Sequence, residues 1–303
     1  MAIQKHSETK RLRLWSFKQN PLALTMKLSS LFLSVICLQC CFAAIALTPL
    51  LPSSVLAEVG LSQPKIKASS GSVNLQSKTS VFRFGKQGAA FPDYKEAVIH
   101  YPVASGSTNP AILKQVQASI SLKQVLGQSL EELRQEYVEN QWLTEVEYAV
   151  NYNRNNILDL TYAVSGVGAY PSGFEKWVSV DLKTGKRLRV KDLFKAEGLG
   201  AIAQSIDKQM QQNIRQKIAE VRQQEPDLGL DVFANHHFQP KNLENLTIGK
   251  TGVTFHYNFE FPHVIKAAEP SGDYLIPYSQ LTRYIRPDGV LGFHLSSTKP
   301  TRQ

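Results

Sequence analysis

The sequence predicts an α+β fold: an antiparallel sheet, built from a meander plus a second hairpin, with helices packed on one side. Three observations carry this. The apolar period switches from about four residues to two and back along the chain. The period-two runs are joined by short turn sequences, as in antiparallel strands. One long amphipathic stripe separates two groups of such runs. The order is therefore helices, strands, helix, strands, helix, and no internal repeat of fixed period interrupts it.

Ala97 to Val103 reads as the first strand. Asn109-Pro110 is a helix start, with Asn as N-cap and Pro in the first turn, and Ile112, Val116 and Ile120 then recur on one face. Gly127 punctuates, and Ser129-Leu130-Glu131-Glu132 is a capping box for a second short helix. From Trp142 to Tyr152 the period becomes two: Trp142, Val146, Tyr148, Val150 and Tyr152 share one face, while Glu145, Glu147, Asn151 and Asn153 share the other. Asn153-Arg154-Asn155-Asn156 supplies a turn into the alternating Leu158, Leu160, Tyr162 and Val164, so these strands pair with one wet face. A loop, Gly166–Gly173, leads to a strand through Trp177, Val178 and Val180, and a turn at Lys183–Lys186 to a fourth strand, Arg187–Val190.

Gly198 to Gln224 is the strongest helix, with Ile202, Ile206, Met210, Ile214, Ile218 and Val221 in one stripe and Pro226 as its stop. Residues 227–241 form a loop holding His236-His237. Leu246 and Ile248, the turn Gly249–Gly252, and Val253, Phe255, Tyr257, Phe259 and Phe261 make the second hairpin. Leu275-Ile276-Pro277 is a last short strand, and Ser279 caps a helix carrying Leu281, Tyr284 and Ile285.

The chain's first segment is a targeting signal. Lys5, Lys10, Arg11, Arg13, Lys18 and Lys27 stand against one acid, Glu8, ahead of an almost uncharged run from Leu28 to Leu47. Pro49 and Pro52 break that run, and Val55-Leu56-Ala57 suits cleavage after Ala57. This is the order of a secretory signal peptide, residues 1–57. Met26 is an alternative start, since Met26-Lys27 directly precedes the apolar run. The competing reading is an uncleaved anchor, because the run approaches the roughly 20 residues that span a bilayer. Residues 58–88, rich in Ser, Lys and Gln, read as a linker. A single domain over 89–290 follows, with a subdomain boundary near 195 and a tail over 291–303.

Composition narrows the function classes. Of 303 residues, 34 are basic and 25 acidic; without residues 1–57 these become 28 and 24, so most of the formal charge of +9 belongs to the signal. The residual basicity, with no cluster of Lys and Arg interleaved with aromatics, does not indicate a nucleic-acid partner. The basic string Lys183, Lys186, Arg187, Arg189 and Lys191 suits a solvated strand face, with a weak attraction to anionic envelope polymers as the other reading. Cys37, Cys40 and Cys41 all lie in the apolar run, which leaves the mature chain without a disulfide scaffold, a thiolate zinc site or a cysteine nucleophile. No cofactor is expected: no phosphate loop and no Gly-x-Ser-x-Gly elbow is present, and the histidines lack ligand spacing. His236 and His237 are adjacent and point apart in extended chain, and His256 and Glu260 on one strand stand about 13 Å apart. Glu145 and Glu147, about 6–7 Å apart on a strand face, are the one carboxylate pair that suggests a glycoside hydrolase. Charged residues on the wet face of a strand are far commoner.

Two stretches resemble a known family. One is Gly168-Ala169-Tyr170-Pro171, followed by Val180-Asp181-Leu182-Lys183-Thr184-Gly185-Lys186 and Lys191-Asp192-Leu193-Phe194. The other is Val253-Thr254-Phe255-His256-Tyr257-Asn258, running through Pro262, Gly272 and Ile276-Pro277-Tyr278 to Leu281 and Tyr284-Ile285. Together they look like the extracytoplasmic domain of unknown function shared by RsiV-type anti-sigma factors, which sense lysozyme, and PdaC-type peptidoglycan deacetylases. The sigma-binding and deacetylase parts have no counterpart, and Tyr170 stands where many members carry His. The resemblance implies an exported, periplasmic or extracellular, non-catalytic module that binds an envelope protein of lysozyme type or a peptidoglycan-related polymer. Two alternatives remain: a carbohydrate-active hydrolase using Glu145, Glu147 or Glu260, and a sensor anchored in the membrane by residues 28–47. Glycines let loops take shapes that other residues resist, and loops on rigid sheets commonly hold recognition residues. Tyr170, Pro171, Phe174, Pro262 and His263 are accordingly the expected contact residues, on two loops expected to meet in space.

Overall fold

The computed structural model describes residues 71–84, 96–106, 109–224 and 229–296. The signal or anchor segment and Pro226 lie outside these residues. Among the described residues no helix is long and apolar enough to cross a membrane.

Five strands form the first sheet in the order β1 (Asn74–Arg83), β2 (Glu96–Ser105), β3 (Leu143–Arg154), β4 (Ile157–Val167) and β5 (Pro171–Asp181). All neighbours are antiparallel except β2 and β3, which pair in parallel through Val98↔Glu145 and Ile99↔Val146. The helices α1 (Pro110–Ser119), α2 (Leu122–Leu126) and α3 (Leu130–Asn140) form that crossover. Asn109 caps α1 through bonds to the N–H of Ala111 and Ile112, and Gly127, at φ 84°, ends α2. Ser129 and Glu132 complete the capping box of α3. Leu158, Leu160, Tyr162 and Val164 of β4 pack with Val116, Ile120 and Leu133 of the helices. The alternate residues, Asp159, Thr161, Ala163 and Ser165, face the other side.

The second sheet is β6 (Leu246–Ile248), β7 (Gly252–His256) and β8 (Asp273–Pro277), wholly antiparallel. The short α4 (Val190–Leu193) leads towards the long α5 (Leu199–Gln224), whose Ile202, Ile206, Met210, Ile214 and Val221 are buried with Ile248, Val253 and Phe255. Two short helices follow the last strand, α6 (Tyr278–Leu281) and α7 (Phe293–Ser296). Core membership passes from the first cluster to the second between Leu182 and Val190, with Tyr152 and Ile157 reaching into the second from the first sheet.

The structure corrects several sequence expectations. The linker expected over 58–88 contains β1: it is an edge strand with little to bury, so hydrogen bonds to β2 and two core residues, Phe82 within it and Val73 just before it, hold it without an apolar alternation. The loop Gly166–Gly173 is largely zipped, with Val167 paired to Pro171 and Gly166 to Ser172. The fourth meander strand reduces to one bridge, Val180↔Arg187, because Val190 already starts α4. The aromatic strand stops at His256, and Tyr257–Phe261 continues as irregular chain with Glu260 at φ 56°. The cap of α6 is Pro277, not Ser279. The tail expected from 291 supplies a fully buried Leu291 and α7.

Candidate functional site

The outer half of the β4–β5 hairpin is a rigid arm. A side chain at Gly166 would place its Cβ 2.3 Å from the indole of Trp142, so glycine is required for the ring to lie on the strand. Trp142 accepts the Val167 N–H at its carbonyl (2.7 Å) and donates its indole N–H to Ser172 Oγ (2.9 Å). Its ring also stacks in parallel with Phe174, at a centroid distance of 6.4 Å. Phe174 thus lies on the helix side of the ribbon, with the Lys176 ammonium 5.8 Å from its ring.

At the tip, Tyr170 is 56% exposed and stacks on His263, with centroids 4.1 Å apart and planes 18° apart. His263 opens a 3-10 turn that follows Pro262, and its neighbour Val264 is 84% exposed. The structure therefore brings Tyr170, Pro171, Pro262 and His263 to one exposed place from segments far apart in sequence. Phe174 is not with them: its ring stacks on Trp142 instead.

A second ring stack lies seven positions along each segment. Trp177 of β5 lies flat on His256 of β7, 4.2 Å between centroids and 3° between planes. His256 Nδ1 is 2.8 Å from Asp273 Oδ1, and its Nε2 is 3.1 Å from Thr247 Oγ1. This Thr–His–Asp order matches a hydrolytic triad in connectivity but not in setting. In such triads the acid is buried and the nucleophile open to substrate. Here Asp273 is 69% exposed and the imidazole is buried under Trp177. The relay ties β6, β7 and β8 together and pins them to β5.

Across the face of the first sheet turned away from α1–α3, one row runs over all five strands: Thr79, His100, Glu147, Ala163 and Glu175. His100 binds Thr79 Oγ1 at 2.9 Å and Glu147 Oε1 at 3.3 Å. Glu145 lies one row on and is exposed. Neither glutamate lines the concavity of about 440 Å³ between β1 and α3 or the one of about 260 Å³ beside Asn155 and Asp181. His236 and His237 do point apart: His236 packs against Phe259 and Phe261, while His237 reaches Asp207 at 3.5 Å. Among the described residues no group of three or more His, Cys, Asp or Glu is arranged to hold a metal ion.

Sequence reasoning missed one buried acid. Asp159, at 0% exposure, accepts from Ser179 Oγ, from Asn151 Nδ2 at 2.8 Å and from the Ile248 N–H at 2.9 Å. Burial pushes its carboxyl up to about 7, against the opposing pull of the Ser179, Asn151 and Ile248 hydrogen bonds. Its position in the alternation assigned it to the wet face, and it would be wet there had the second sheet not covered that end.

No family model matches the chain, and no curated protein does. Solved structures do. A member of the DUF3298 family from Bacteroides fragilis NCTC 9343 is similar over 75% of this chain and 99% of its own, at 14% identity and a TM-score of 0.50. A DUF3298 family protein from Pseudomonas aeruginosa PAO1 matches over 71% of this chain and 95% of its own, at 13% identity and a TM-score of 0.46. The first likeness shows a shared fold, that of a domain of unknown function.

Proposed function

We propose that this chain is an exported, non-catalytic binding or sensing module of the cell envelope, related in role to lysozyme-sensing ectodomains. Its partner is an envelope protein of lysozyme type or a peptidoglycan-related polymer. The single observation that carries the reading is the Tyr170–His263 stack. Two residues that belong to neither core, Tyr170 and His263, meet as an exposed aromatic surface on an arm made rigid by Trp142. Tyr at such a place buries much area at little entropy cost and is a frequent anchor of recognition. Retention of the mature domain on purified peptidoglycan and on immobilised lysozyme tests the proposal. Binding to one of them that falls in Tyr170→Ala and His263→Ala, with melting unchanged, supports it. Binding to neither, or binding indifferent to both substitutions, overturns it.

A further inference from the structure

We infer that the free edge of β5, from Gly173 to Trp177, is a strand-addition site for an extended peptide carrying a basic residue opposite Glu175. This rests on the reading of the Tyr170–His263 region as a partner surface and specifies how a protein partner engages it.

The backbone sets the argument. The Asp181 N–H donates to the Lys186 carbonyl at 2.9 Å, and the Ser179 carbonyl accepts from the Leu188 N–H at 2.8 Å. Odd-numbered residues of β5 therefore turn their main-chain groups away from β4, since these groups point to alternate sides along a strand. The β4–β5 register runs without a shift from Asp181 to Pro171. Gly173, Glu175 and Trp177 consequently present N–H and C=O groups outward, and among the described residues none of these groups meets a partner across that edge. Residues 171–176 are all exposed. An unpaired edge of this kind is a template for another strand.

Two features make it more than an incidental edge. The stacks Tyr170–His263 and Trp177–His256 hold the strand at both ends of the open stretch, so little ordering entropy remains to be lost on binding. The side chains also define the occupant. On the face turned away from the helices, the exposed Glu175 shares a row with Glu147 across the small Ala163, and opposite charges directly across strands stabilise a pair. On the helix side Phe174 offers a half-exposed ring to an apolar neighbour. The fitting peptide alternates basic and apolar residues.

The probe is a short synthetic peptide alternating valine and lysine, with a valine–glutamate peptide and a backbone N-methylated valine–lysine peptide as controls. Binding is followed by amide hydrogen exchange of the mature domain. The valine–lysine peptide is expected to bind and to protect the Gly173, Glu175 and Trp177 amides, and both controls to bind about tenfold more weakly or worse. Glu175→Pro removes one outward N–H while sparing the bonds to β4, and is expected to abolish protection at Trp177. Glu175→Gln is expected to weaken binding several-fold and to keep the protection pattern. An N-methylated peptide that binds as well as the parent, protection at other strands, or no binding at all overturns the inference. If peptidoglycan or lysozyme retention depends on Tyr170 but not on the Glu175 amide, the surface reading stands and strand addition falls.

Discussion

The backbone N–H of Ile248 donates to the Asp159 carboxylate at 2.9 Å, joining strands 89 positions apart in sequence and the two sheets of the fold. The same carboxylate holds Asn151 of β3 and Ser179 of β5. One buried acid thus fastens three strands of the first sheet to the first strand of the second. Low dielectric makes each of these bonds strong and makes the ionised group costly.

That cost gives stability a pH dependence of defined sign. Burial raises the Asp159 carboxyl from 3.8 to about 7 in the folded chain. The folded state binds the proton more tightly than the unfolded state, so the Asp159 contribution is fully present below the unfolded value and is lost as pH rises through about 7. In the protonated form the Ser179 hydroxyl can turn and accept, so the linkage survives. Urea unfolding from pH 4 to pH 8 is expected to show native stability falling by a few kcal/mol relative to Asp159→Asn, whose amide does not titrate over that range. Parallel pH profiles for the two proteins would rule this out.

The legible parts of the fold were those in which local chemistry and tertiary packing agree. Asn109, Gly127 and Ser129 mark helix ends by interactions within a few residues, and the α5 stripe buries the side that its period indicates. β1 was illegible because an edge strand draws its stability from a partner distant in sequence. The parallel pairing of β2 and β3 was equally hidden, since nothing in either strand records its neighbour's direction. Of the site, the loops around Tyr170 and His263 were visible as Gly- and Pro-bearing segments. Trp177–His256 and Asp159 were not, because each depends on one sheet covering part of the other.

Gly166 is expected to be intolerant of any side chain while Trp142 is present. Its Cβ would fall within 2.4 Å of two indole carbons, and overpacking of this kind costs about 1–3 kcal/mol. Gly166→Ala should therefore lower the melting temperature by several degrees. In a Trp142→Ala background the same change should cost less but still destabilise, because the ring is gone while the carbonyl oxygen of residue 142, 2.5 Å from the same Cβ, remains. Equal costs in the two backgrounds would show that the glycine serves the backbone rather than the ring.

The indole N–H of Trp177 is buried without a hydrogen-bond partner among the described residues. Such a donor carries a desolvation penalty of about 1–3 kcal/mol. Trp177→Phe discards that penalty and keeps a ring on His256, so its loss of apolar contact is offset and the net destabilisation is expected below about 1 kcal/mol. Trp177→Ala, which removes the stack altogether, is expected to cost about 3 kcal/mol. Guanidinium unfolding of the two variants measures the contrast, and a Trp177→Phe cost near that of Trp177→Ala would contradict it.

The Tyr170–His263 stack separates recognition from stability. Tyr170 is more than half exposed and its ring meets His263 at 4.1 Å, while neither residue belongs to either core cluster. Substitutions at exposed positions away from the core usually move stability by no more than about 0.5 kcal/mol. Tyr170→Ala and His263→Ala should each leave melting nearly unchanged. Each should weaken partner binding by about 1–2 kcal/mol, the range of an interface anchor. Because the rings touch, the two losses should not add: the double variant should bind more tightly than the sum of the single changes implies, by about 0.5 kcal/mol or more. Additive losses measured by titration calorimetry against the retained partner would mean that the residues contact it independently, and that the stack plays no part in shaping the surface.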